Sequence, residues 1–143
     1  MKPKLTSDEI NAKQQLLQDY EPAQEAFAIL EKNQGRLDVS FDELWAEKNE
    51  PQMFEKDPSK RKSLWNVMLG EIRKELCGDD GFRGKVKEYT KKPDSAPLLT
   101  GLIVSLVGIA GANGLPIDPA IATIIVLYIV KIGLNTFCEY TEP

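Results

Sequence analysis

Residues 95–117 carry no charged side chain, and after a single Asp118 a second apolar run over residues 119–138 is interrupted only by Lys131. Joined by a Gly/Pro turn, two such segments either enter a bilayer or form the buried centre of a helical assembly. Each begins as a helix should. Ser95-Ala96-Pro97 and Asp118-Pro119 set a capping side chain ahead of a proline, whose missing N–H costs nothing in the first helical turn. Asn113-Gly114-Leu115-Pro116 supplies the reversal between them. The predicted helices, 97–112 and 119–138, are about 24 and 30 Å long at 1.5 Å per residue. Against a hydrocarbon core of about 30 Å the second is long enough to span and the first is short.

Lys131 bears on this choice. A lysine at the centre of a spanning helix costs about 2.5 to 3.5 kcal/mol, whereas each Leu, Ile, Val or Phe returns roughly 0.3 to 0.6. Ten such residues share its helix and can offset it, and its amine could also snorkel to an interface. The alternative is a partly exposed lysine on an otherwise buried helix. On the first helix, Gly101, Ser105, Gly108 and Ala112 fall at i, i+4, i+7 and i+11, a face of small residues that lets a neighbouring backbone approach closely. Just upstream stand Arg83, Lys85, Lys87, Lys91 and Lys92, opposed before Asp94 only by Glu88. Such a cluster sits where a lipid-facing basic collar would, and it equally fits a solvated helix face or a phosphate-binding patch.

The preceding ninety-odd residues read as short amphipathic helices. Ser7 with Asp8 and Glu9 behind it starts one that reaches about Tyr20. Ala23, Ala26, Phe27 and Leu30 follow the spacing of one buried stripe after Pro22, with Gly35 as a C-terminal cap. Ser40 and Glu43 fit a capping box for a third helix anchored by Phe41, Leu44 and Trp45. Residues 49–57 read as a loop. Asp57-Pro58 then opens a helix to about Cys77 with Leu64, Trp65, Met68, Leu69, Ile72 and Leu76 on its core face. A further short helix covers residues 81–89, and residues 35–39 could form a brief strand or turn. The fold class is therefore all-α: a small N-terminal helical domain, residues 1–93, followed by an apolar two-helix hairpin, residues 94–143.

Several chemistries are disfavoured by what the chain lacks. It has 143 residues, no histidine and a net charge of −4. The commonest general base, proton shuttle and zinc ligand is thus absent, and Ser63, Thr100 and Ser105 have no histidine to activate them. A global acidic balance argues against a dedicated nucleic-acid binder. Cys77 and Cys138 have no CxxC partner and read as two free thiols in a reducing compartment, although a disulfide needs only proximity in space. Glu75, Asp79 and Asp80 lack the spacing of a calcium loop. Trp45 and Trp65 mark either a binding groove or the core. No catalytic residue, metal or cofactor is expected, nor a small-molecule substrate. The leading expectation is a non-enzymatic adaptor on the cytoplasmic membrane face, tethered or membrane-perturbing through its hairpin, with residues 1–93 binding a protein partner. The alternative is an all-helical interaction protein or oligomer subunit whose hairpin is buried in its own fold or by a partner, in the cytoplasm.

Overall fold

The computed structural model describes residues 3–48 and 64–140, and within them the chain forms eight helices and no strand. The first is α1, Ser7–Leu16. Its cap is Thr6, one residue before the expected Ser7: Thr6 Oγ1 accepts from the Glu9 N–H at 3.1 Å while Glu9 Oε1 accepts from the Thr6 N–H at 2.9 Å. This reciprocal pair satisfies two amide donors that the helix itself leaves open. Helix α2, Glu21–Lys32, carries Pro22 in its first turn and buries Ala23, Ala26, Phe27 and Leu30 as its spacing predicts. It closes at Gly35, whose φ of +84° is a left-handed conformation and whose N–H donates to Leu30 O at 2.7 Å.

Helix α3, Leu37–Lys48, begins before the capping box expected at Ser40. Ser40 is instead a buried residue inside the helix, and its hydroxyl accepts from Asn33 Nδ2 at 3.3 Å, while Glu43 pairs with Lys32 at 2.8 Å. With the helix starting about one turn earlier, the Ser40 N–H donates to Arg36 O at 3.1 Å and does not stand at an open helix end. The segment around residues 35–39 forms no strand; it makes an isolated bridge between Lys4 and Arg36. The loop at residues 49–57 and the helix start at Pro58 lie outside the described residues. Helix α4, Leu64–Leu76, buries Trp65, Met68, Leu69, Ile72 and Leu76. Asp79 then caps α5, Asp80–Lys91, by accepting from the Phe82 N–H at 2.8 Å. The acidic pair at 79–80 is thus a helix start.

Helix α6, Ala96–Ala112, and helix α7, Pro119–Ile132, are the two apolar segments. Ser95 and Asp118 cap them, accepting from the N–H groups of Leu98 and Ile121 at 3.2 and 2.8 Å. The second differs from its predicted form. Gly133 takes a φ of +90°, which ends α7 after 14 residues and turns the chain into α8, Leu134–Tyr140. At 1.5 Å per residue α7 is only about 21 Å long, well short of a hydrocarbon core. No described helix is long and apolar enough to cross a membrane, so the expected transmembrane hairpin finds no support in these segments.

The apolar segments pack inward. Every residue of α7 from Ala120 to Ile129 is buried, and the helix lies against α2, α3 and α6. A helix that is apolar all round needs this surrounding. One hydrophobic cluster gathers side chains from Leu5 to Phe137, so the amphipathic shell and the apolar pair share a core. A relay of aromatic rings crosses it: Phe41 meets Trp65 edge-on at 5.5 Å, Trp65 meets Tyr128 at 5.0 Å, and Tyr128 meets Phe137 at 6.3 Å. Trp45 and Trp65 are both buried, which makes them core residues.

Candidate interaction surface

The basic collar lies on α5. Phe82, Val86 and Tyr89 turn inward, and that choice of buried face fixes where the charges go. At about 100° per residue, Arg83, Lys87 and Lys91 fall together on one side of the helix, while Lys85 and Lys92 fall on another. The structure therefore divides the collar in two. Among the described residues Lys85, Lys87, Lys91 and Lys92 make no ion pair, whereas Lys32, Lys48, Lys74 and Lys131 each have a carboxylate partner.

Arg83 is held rather than free. Its Nη1 donates to Asn135 Oδ1 at 3.2 Å and its Nη2 to the Cys77 carbonyl at 3.0 Å, so one guanidinium connects α5 with the end of α4 and with α8. Between α5 and α8 runs an open groove of 480 Å³ with Val86 and Leu134 at its floor, Thr90 and Asn135 beside them, and Arg83, Lys87 and Lys91 along its edge. Among the described residues no carboxylate lines it. A larger open groove of 680 Å³ near Thr6, Glu31 and Gly35 carries mixed charge and concentrates no chemistry.

What holds α8 in place corrects the reading of free thiols. Cys77 and Cys138 form a disulfide, with Cα atoms 6.0 Å apart. They are 61 residues apart in sequence, and the turn at Gly133 leads directly into the helix that carries Cys138. The free-thiol reading rests on the missing CxxC partner, and the fold supplies the proximity in space that a disulfide needs. The disulfide, the Arg83–Asn135 hydrogen bond and the buried Phe137 together fix α8 as the second wall of the groove.

The small-residue stripe faces outward. A Cβ placed on Gly101 or Gly108 would meet nothing within 4 Å, Gly108 and Ala112 are exposed, Ser105 is half-buried, and Val104 beside them is 56% exposed. Among the described residues no neighbouring helix covers this face. The inner face of α6 is the other stripe, Leu99, Leu102, Ile103, Leu106 and Ala110.

Lys131 pairs with Glu9 across the fold, Nζ to Oε1 at 2.8 Å. Partial burial pushes the Glu9 carboxyl up, but the hydrogen bonds from Lys131 and Thr6 and the adjacent positive charge outweigh it and hold the group below the ordinary carboxylate range. At the other end of α7, Lys48 bridges Glu25 at 2.7 Å and Asp118 at 3.0 Å, and those hydrogen bonds raise its pKa. Both ends of the buried helix are thus tied to the shell by ion pairs that no local motif announces. Thr123, fully buried, donates to Pro119 O at 2.7 Å and is satisfied within its own helix.

The chemistry this surface offers is electrostatic and apolar contact; among the described residues no group of three or more Cys, Asp or Glu is placed to hold a metal ion. Comparison with protein-family models, with curated proteins and with solved structures finds no match to this chain.

Proposed function

We propose that this protein is a non-enzymatic helical interaction module that buries its apolar hairpin in its own fold and engages a protein partner through its basic face on α5. The burial of α7 carries this reading. With Ala120 to Ile129 enclosed by α2, α3 and α6, the most apolar segment already has its partners, and inserting it into a bilayer would strip the shell helices of theirs. Residues 1–93 then act as the shell and the recognition face, and residues 94–143 as the hairpin that completes the core. The α5 lysines that make no ion pair among the described residues supply an attractive field for an anionic partner in a chain that is acidic overall. The membrane-tethered adaptor and the membrane-perturbing effector both require the hairpin outside.

Vesicle flotation of the full chain separates these readings. With neutral phosphatidylcholine vesicles the protein is expected to stay with the unbound fraction. Co-flotation that survives high salt would show apolar insertion and overturn the proposal, because a merely electrostatic contact would be screened.

A further inference from the structure

Resting on that reading, we propose that the groove between α5 and α8 is the docking site for an acidic helical segment of a protein partner. Three observations meet there. Arg83, Lys87 and Lys91 follow one another at i, i+4 and i+8, so their positions rise in steps of about 6 Å. That is the spacing of carboxylates at i, i+4 and i+8 on a second helix lying alongside, and each contact would be a charge-assisted hydrogen bond. The groove also has an apolar floor, Val86 and Leu134, to receive one aliphatic side chain from the same segment. Finally, among the described residues no carboxylate lines it, and Lys87 and Lys91 make no ion pair.

The same geometry disfavours a lipid surface. The five basic residues are split between two sides of α5, so a flat layer of headgroups touching Lys87 and Lys91 would leave Lys85 and Lys92 turned away. Glu88 stands between the two sets, three residues from both Lys85 and Lys91 and four from Lys92, and it is not among the residues that line the groove. A concave wall formed by α8 suits a rod better than a plane. Arg83, anchored to Asn135 and to the Cys77 carbonyl, still has N–H groups to offer beyond the two already engaged.

Fluorescence anisotropy tests this on the intact chain with a labelled synthetic helix carrying Glu at i, i+4 and i+8 beside one Leu, a matching peptide with Gln in place of Glu, and phosphatidylserine vesicles as competitor. The Glu peptide is expected to bind saturably and the Gln peptide not. Lys87→Gln with Lys91→Gln should weaken binding about tenfold, while Lys85→Gln with Lys92→Gln changes it by roughly twofold at most. All four lysines are exposed, so neither double variant threatens the fold. Equal losses in the two double variants would reveal a diffuse field and overturn the groove. So would vesicle capture through Lys87 and Lys91 without peptide binding, which would assign the site to lipid, or no binding of either probe. A chain that stays off neutral vesicles yet ignores the Glu peptide refutes this proposal alone, and leaves the reading beneath it standing.

Discussion

Helices α6 and α7 are alike in sequence character and opposite in surroundings. Both are strongly apolar, both start at a capped proline, and they pack on each other, yet α7 is enclosed on every side while α6 leaves Val104, Gly108, Gly111 and Ala112 in the open. The difference lies in side-chain size around the helix. Ile, Val, Leu and Tyr surround the axis of α7, so each face needs a partner, and α2, α3 and α6 provide one. On α6 the bulky residues occupy one stripe and glycine, alanine and serine the other, which keeps the uncovered apolar area small. A small-residue stripe can therefore mark the face that receives no neighbour as readily as the face that receives a close one.

The largest contrast comes from trimming the two helices. Ile125→Ala in α7 should cost about 2 to 5 kcal/mol of unfolding free energy, whereas Val104→Ala in α6 should stay within about 0.5. Urea titration of both variants checks this, and similar losses would mean that the outer face of α6 is also covered. Next in size is the staple on α8. Cys138→Ser, or reduction of the wild type, should lower stability by about 2 to 4 kcal/mol, since the bond closes a long loop. A melting point that ignores a reducing agent would show that Phe137 alone holds α8.

Glycine replacements sharpen the comparison at a smaller scale and with opposite signs. A Cβ at Gly35 would stand 2.1 Å from Leu5 O, in a left-handed conformation, so Gly35→Ala should destabilise by more than about 1 kcal/mol. Gly108→Ala meets nothing within 4 Å and should stabilise by up to about 1 kcal/mol, the ordinary gain of alanine over glycine in an exposed helix. Thermal denaturation of the pair decides it; a destabilised Gly108→Ala would place a neighbour on the stripe.

The smallest effect is the ion pair at the far end of α7. Because the folded Glu9 carboxyl titrates below its unfolded value of about 4.3, its contribution is present above that pH and lost as pH falls through the folded value. Both partners are partly exposed, so the contribution is a few tenths of a kcal/mol and at most about 1. Glu9→Gln should flatten the acid limb of the stability profile by that amount. An unchanged acid limb would remove Lys131 from the forces that hold α7.

Much of this architecture was legible in local pattern. The helical period, the caps at Ser95 and Asp118 and the bounds of α6 follow from neighbouring residues, and so does the exposure of the four lysines of the collar, since Phe82, Val86 and Tyr89 fix which way α5 turns. What escaped depends on distance along the chain. Ser40 and Glu43 satisfy a capping pattern, but contacts with α2 move the helix start to Leu37. Gly133 resembles any glycine inside an apolar run, and only the return of α8 onto α4 and α5 explains its conformation. With that turn unseen, the Cys77–Cys138 bond and the α8 wall of the groove were unreadable. Lys131 gives no local sign of its role, because its partner, Glu9, lies at the other end of the sequence.

Native-state hydrogen exchange on the full chain in buffer, without lipid, addresses the burial of α7 most directly. Amides of α7 between Ile124 and Ile129 should exchange only through global unfolding, and so be the slowest in the molecule, with the outer positions of α6 and all of α1 opening at lower free energy. Exchange of α7 as fast as that of α1 would contradict a helix enclosed by its own fold.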